Sequence, residues 1–272
     1  IAENGFVSAA VGAAMTGLRP VVEIGFGDFV TCCMDPLVNQ AAKLRYMLGG
    51  QVGVPLVLYT FAGGGLSAGP QHSQSLEAWF AHIPGLKVIM PASADDLLGM
   101  MKSAIRDEDP VIALLGKKLI GSTAEAPDGE HLVPLGQALV RRAGSDLTLV
   151  TLGQLVPVAL QAAAALAAEG IEAEVVDLRT VSPLDQATVA ASLARTGRLL
   201  VVQEAMGPCG IGGELVSRMA EHHFGLLKAA PRRVSPPFAP SPFAPELEAL
   251  YLPSVGSVVE AALEVLGRRR AA

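Results

Sequence analysis

The sequence predicts an α/β protein built from two doubly wound domains, and three observations carry that expectation. Apolar runs of strand length alternate with segments of helical period along the chain. The runs are near-continuous in Val, Ile and Leu, the mark of parallel strands buried on both faces. The alternation dissolves once, from Gly121 to Pro134, into Ser, Thr, Glu, Pro, Asp and Gly, so a linker is placed there. A chain of 272 residues accommodates two cores, and the expected boundaries are residues 1–120, a linker at 121–134 and a second domain at 135–272.

In the first domain Val21 to Phe26 reads as a strand, Thr31 to Met47 as a helix, Val54 to Phe61 as a strand and Ser73 to His82 as a short helix. Leu86 to Met90 is the next strand. Ser93 then stands where it can cap a helix over Ala94 to Arg106, with Asp96 three positions on in a capping-box arrangement. Val111 to Leu115 closes the series. In the second domain, strands are expected at Leu147 to Leu152, Glu172 to Asp177 and Leu199 to Gln203. Helices are expected at Val156 to Ala168, Leu184 to Ala194 and Gly212 to His222, with Gly170 stopping the first of them. The proline-rich segment Ser235 to Pro245 cannot be regular helix or central strand and is expected to run extended before a last helix, Val255 to Leu266.

Composition narrows the function. Half the residues are hydrophobic and 17% are charged, as in a folded chain, and the net charge of −6 leaves no footprint for nucleic acid. The basic triplet Arg268-Arg269-Arg270 reads as a solvated helix end. Cys32, Cys33 and Cys209 form no C-x-x-C pair, which fits a reducing, cytoplasmic setting and not a disulfide or zinc framework. The most apolar window, Leu155 to Ala168, falls short of the roughly 20 residues that span a bilayer, so no membrane association is expected. No targeting peptide is read at the start of the chain.

The loop GGGLSAGPQHSQ, Gly63 to Gln74, follows a strand, at the edge where open α/β sheets bind ligands. It matches neither G-x-x-x-x-G-K-[ST] nor G-x-G-x-x-G, and Gly207 to Gly213 misses both as well, so spacing does not support a nucleotide cradle. Gly63 to Gly65 permit positive φ and close approach of a bulky group; a long surface turn is the other reading. His72 fits either a backbone-bonded helix-start residue or an acid/base group over a ligand. No G-x-S-x-G, H-E-x-x-H or clustered metal set occurs, which argues against a stand-alone hydrolase or metalloenzyme.

Ordered segments add what spacing cannot. Ile1 to Phe6, Gly12 to Pro20, Ala41-Ala42-Lys43 with Tyr46-Met47, the QHSQ cassette Gln71 to Gln74, Ala81 to Val88, Ala104 to Asp107 with Asp109-Pro110, and Asp177 to Asp185 stand in the chain in that order. Together they resemble the beta subunit of thiamine-diphosphate-dependent 2-oxo acid dehydrogenases, of the pyruvate or branched-chain type, over nearly the whole chain. The resemblance implies a pyrimidine-binding domain followed by a transketolase C-terminal-like domain. It also implies oxidative decarboxylation of a 2-oxo acid, pyruvate first, with acyl transfer to a lipoyl acyltransferase. The partners implied are an alpha subunit in an alpha2beta2 assembly with a second beta subunit. Because no G-D-G motif occurs in this sequence, the diphosphate and Mg²⁺ are expected on the alpha chain.

By position, the resemblance makes Glu3 the carboxylate at N1′ of the aminopyrimidine, where it favours the imino tautomer that takes the C2 proton; an apolar pocket is expected to raise its pKa. Composition alone reads Glu3 as a terminal surface residue. Phe29 becomes the ring packed on the aminopyrimidine, otherwise simply core. His72 becomes the group near the substrate end of the cofactor, and His82 keeps a structural role. Leu56, Ala104, Asp107 and Asp109 match a potassium site of some relatives, where an ordinary capped turn is the other reading. Two departures stand out. Tyr59-Thr60-Phe61 replaces the family's arginine-glycine-proline, removing a positive charge near the entrance, and the resemblance starts inside its first motif, as though the N-terminal segment were missing. The alternatives to a 2-oxo acid dehydrogenase are an acetoin dehydrogenase beta subunit, half of a split transketolase, or a non-catalytic docking subunit.

Overall fold

The structure, a computed structural model, describes residues 1–125 and 128–268. It begins with α1 (Glu3–Met15), then β1 (Val21–Phe26), a tight helical turn over Gly27–Cys33, a wider π-type turn over Pro36–Ala41, and α2 (Ala42–Met47). There follow β2 (Val57–Ala62), α3 (Glu77–Ala81), β3 (Lys87–Ile89), α4 (Ala94–Arg106) and β4 (Val111–Gly116). After the irregular stretch come β5 (Leu139–Arg142), β6 (Leu147–Thr151), α5 (Val156–Ala168), β7 (Ala173–Asp177), β8 (Thr180–Ser182), α6 (Gln186–Thr196), β9 (Leu199–Val202), α7 (Ile211–His223), β10 (Arg232–Val234), α8 (Pro245–Tyr251) and α9 (Val255–Val265). Of the basic triplet, Arg269 and Arg270 lie outside the described residues.

Two five-stranded sheets result, in the orders β1-β2-β4-β3-β8 and β10-β9-β6-β7-β5. Each is parallel except for one antiparallel edge strand, β8 on β3 and β5 on β7. The burial of the strands follows from this. In β6, β7 and β9 every residue is buried, whereas the edge strand β1 alternates exposed and buried side chains. One apolar core runs through both sheets, joining Ile112 and Leu114 of β4 to Val150, Val176 and Val201 of the second sheet. A second core lies under α5 and α9, and a third under α4. Burying a Leu or Val side chain contributes about 1.5–3 kcal/mol, so these layers hold the sheets together. Among the described residues no helix is long and apolar enough to cross a membrane.

The differences from the sequence expectation are local. The segment read as one helix, Thr31 to Met47, is a succession of turns of three pitches; Pro36, with no N–H to donate, opens the π-type turn. The helix expected from Ser73 begins only at Glu77, because Gln74 is tied to Asp28 by its backbone N–H and its side-chain amide. Ser93 occupies the N-cap position of α4 but its side chain makes no capping bond, and the Asp96 carboxylate turns away to Arg141 and Arg179. Strand β8 leaves β7 through Arg179, at a positive φ of 56°, and crosses to the first sheet, where Met90 donates to the Arg179 carbonyl at 2.7 Å.

Candidate active site at the facing sheet edges

Parallel strands end with their carboxyl termini along one edge, and that is where the chemistry of the first sheet gathers. Phe26 ends β1 and the turn after it carries Asp28 and Phe29; His72 and Gln74 lie in the loop after β2; Lys117 follows β4. These three strands are neighbours in the sheet. The His72 ring meets Phe26 edge-on with centroids 5.1 Å apart and Phe29 at 5.5 Å. The Lys117 ammonium lies 4.7 Å from the Phe26 ring centroid and donates to the His72 carbonyl. Phe29 remains 40% exposed, an aromatic face open to a flat ring, while Lys117 is 2% exposed. Two polar atoms beside the cluster, Asp28 Oδ2 and Ser73 Oγ, are buried without a partner.

The second sheet sends carboxylates to the same place. Glu204, just after β9, accepts from the Gly64 N–H at 2.5 Å and from Gln154 Nε2 at 2.5 Å. Glu248 of α8 accepts from the N–H groups of Gly65 and Ser67, both at 2.9 Å. The glycine loop is thus a nest of backbone donors wrapped on two carboxylates of the second sheet's layer. Positive φ at Gly63 (85°) and Gly65 (106°) makes the wrap possible, and a Cβ at Gly63 would come within 2.5 Å of Glu204 Oε1. Burial pushes Glu204 up to about 7, against the hydrogen bonds from Gly64 and Gln154. Burial also pushes Glu77 up to about 7, with the Glu204 charge adding to it. Lys117 is pulled down by burial, with Asp28, Glu204 and Glu248 opposing.

Glu3 opens α1, which packs on the turn carrying Phe29. Its carboxylate receives the Ile1 ammonium at 3.2 Å and lies near enough to Cys33 to help burial push that thiol up to about 12. The expected rise in the Glu3 pKa is not what this environment produces. Its own backbone N–H, then the Ile1 ammonium, hold it below the ordinary glutamate value.

The potassium candidates fall elsewhere. Asp107 accepts from Lys87 Nζ at 2.7 and 2.6 Å, and Asp109 accepts from Arg45 at 2.5 Å. Burial works against the Asp109 charge, but the Arg45 and Lys87 contacts outweigh it and its pKa falls. The Ala104 carbonyl accepts from Asp107 N–H and the Leu56 carbonyl from Val111 N–H. Both carboxylates are therefore neutralised by the chain's own cations, and only carbonyl lone pairs remain for an ion. His82 is exposed at the end of α3.

Sequence reasoning missed Lys117, Glu77, Glu204 and Glu248. The first follows the apolar run of β4 and Glu204 follows that of β9, so a charged residue just past a buried parallel strand was the available signal for both. Gln154, past β6, gave none stronger than its position.

The sequence pattern of the transketolase pyrimidine-binding domain matches residues 1–122, and that of the transketolase C-terminal domain matches residues 136–258. The pair defines a thiamine-dependent, transketolase-type subunit. The subunit beta of an acetoin:2,6-dichlorophenolindophenol oxidoreductase from Cupriavidus necator is 48% identical over 266 residues, 98% of this chain and 79% of that protein. Its counterpart from Bacillus subtilis is 43% identical, over 98% and 78%. A pyruvate dehydrogenase E1 component subunit beta from Rhizobium meliloti is 44% identical, over 96% of this chain and 57% of that one. Among solved structures, a split-gene transketolase described as an inactive beta4 tetramer superposes with a TM-score of 0.81 at 25% identity, covering 99% of this chain and 83% of that one. The chain belongs to the family of thiamine-dependent dehydrogenase beta subunits that pair these two domains, the family expected from its ordered motifs.

Proposed function

We propose that the chain is the beta subunit of the first component of a 2-oxo acid dehydrogenase complex, decarboxylating a 2-oxo acid, pyruvate first, and passing the acyl group to a lipoyl acyltransferase. The observation that supports it best is the cluster of Phe26, Phe29, His72 and Lys117 on the carboxyl edge of three adjacent strands. An open aromatic face at Phe29 and a carboxylate at Glu3, on the helix packed beneath it, fit an aminopyrimidine that needs one flat contact and one hydrogen bond at a ring nitrogen. Bound thiamine diphosphate supplies the carbon nucleophile and the electron sink for loss of carbon dioxide.

The residues of this chain do the rest. Glu3 holds a proton at its carboxylate against the ring nitrogen; once covered, it loses water, and its affinity for that proton rises. Phe29 orients the ring. His72, held edge-on to two phenyl rings, presents a donor to the substrate oxygen and holds a proton for the acyl-transfer step. The glycine loop shapes the mouth of the site, and Glu204 and Glu248 fix its backbone.

The alpha partner, in an alpha2beta2 assembly with a second beta chain, is assigned the diphosphate and Mg²⁺ on the strength of the family resemblance. Residues 1–120 are assigned to pyrimidine binding and 135–272 to the C-terminal domain, with the linker between them. Any potassium ion would rest on the Leu56 and Ala104 carbonyls, since Asp107 and Asp109 are paired; its test is the potassium dependence of thermal stability. The reaction is placed in the cytoplasm.

The experiment is turnover by the chain, co-purified with its alpha partner, on pyruvate, branched 2-oxo acids, acetoin and ketose phosphates, with and without thiamine diphosphate. Cofactor-dependent decarboxylation of a 2-oxo acid is expected. Turnover of acetoin or ketose phosphates alone would replace the reading with one of those two activities. Activity unchanged by Glu3→Gln and His72→Ala would make the chain a docking subunit.

A further inference from the structure

The loop that carries His72 is pinned from several sides: Glu204, Gln154 and Glu248 hold its glycine end at Gly64, Gly65 and Ser67, and a second set of contacts holds the end that bears the histidine. The His72 N–H donates to the Gly69 carbonyl at 3.3 Å, and the Gln74 carbonyl accepts from Gly63 at 3.0 Å. The Gln74 N–H and side-chain amide donate to Asp28 Oδ1 at 3.2 and 2.8 Å. The His72 carbonyl is held by a side chain 45 residues further on, that of Lys117. Lys117 also lies over Phe26, whose ring is the nearer of the two that flank the imidazole. An ammonium held out of water at 2% exposure is costly unless its donors are used, and here they meet a carbonyl and an aromatic face.

We propose that Lys117 is the positioning residue of His72: it fixes the carbonyl of that residue and the ring beside it, and so sets where the imidazole stands over the bound substrate. The inference rests on the role given to His72 above. Lys117 directly follows β4, the strand next to the loop's own strand, so the imidazole is referenced to β4 as well as to the glycine run. Burial pulls the Lys117 pKa down, and the charges of Asp28, Glu204 and Glu248 oppose that fall.

The test uses the alpha-beta complex with Lys117→Met, Lys117→Arg and Phe26→Leu, and reads the rate at which diethyl pyrocarbonate modifies His72, located by peptide mass spectrometry. Lys117→Met is expected to raise that rate several-fold and to lower kcat by ~10²-fold, with KM for the 2-oxo acid changed by less than about 3-fold, because misplacement by an ångström is enough for a loss of that size. Lys117→Arg keeps a donor and is expected to stay close to wild type. Should Lys117→Met fail to assemble, Phe26→Leu removes the shared ring and shifts His72 reactivity the same way. In a His72→Gln background Lys117→Met is expected to add little, since the two act as one unit. Wild-type His72 reactivity in both Lys117→Met and Phe26→Leu, or fully additive losses in the double variant, would overturn the inference. A complex with no thiamine-dependent turnover would remove the functional reading, while the reactivity of His72 would still decide the role of Lys117.

Discussion

The two sheets share an architecture and divide the labour. Each has four parallel strands and an antiparallel edge, and each gathers polar residues past the carboxyl ends of its strands. At the first edge His72 and the buried Lys117 stand beside the part-exposed Phe29 ring; at the second are the buried Gln154 and Asp177 and the half-buried Glu204, all hydrogen-bonded. The second edge is spent on grasping the first: Glu204 holds the glycine loop, and Arg141 joins Asp177 to Asp96 of α4. A fold offers an edge, and the residues placed there decide whether it presents a site or supports one.

If that division is right, breaking the supporting edge costs stability most. Arg141→Met leaves buried Asp96 with Arg179 and buried Asp177 with only the Arg179 backbone N–H, and the expected loss is about 3–5 kcal/mol in urea unfolding of the full chain. Gly63→Ala forces a strained φ and drives a Cβ into Glu204, for a loss of about 3 kcal/mol by the same measurement.

The comparison sharpens with pH. Glu77 and Glu204 are raised to about 7 in the folded chain from an ordinary value of 4.5, so the folded state binds the extra protons. Their contribution is fully present below about 4.5 and is lost as pH rises through about 7; Asp177, raised to about 6, acts in the same direction. Glu77→Gln is expected to flatten the fall in stability between pH 5 and pH 8 by about 2 kcal/mol, seen in urea midpoints across that range. At the bottom of the scale, Arg218→Ala breaks an exposed pair with Glu214 on α7 and should change stability by less than about 0.5 kcal/mol.

Strongly patterned elements were legible in the sequence. Val21–Phe26, Ala94–Arg106 and Val156–Ala168 have the bounds expected, because a β-branched run or a helical apolar face with clear stops specifies each. Strands β5, β8 and β10 were not, being three or four residues long at sheet edges, where no period develops. Helix α1 also went unassigned; Gly5 and Gly12 dilute its signal. The ordered motifs placed the chain in its family. The grip on the glycine loop was invisible, because Glu204 and Glu248 lie 140 and 183 residues from Gly64 and Gly65, and local sequence carries no trace of such a pairing. The capping role expected of Asp96 failed for the same reason: two distant arginines outbid the nearby backbone.

The most direct test of the central claim is hydrogen–deuterium exchange at C2 of thiamine diphosphate bound to the alpha-beta complex, measured for wild type and Glu3→Gln. If Glu3 holds the aminopyrimidine at the first sheet's edge, exchange slows by ~10²-fold or more in the variant while the complex stays assembled. Exchange at the wild-type rate in Glu3→Gln would contradict the account.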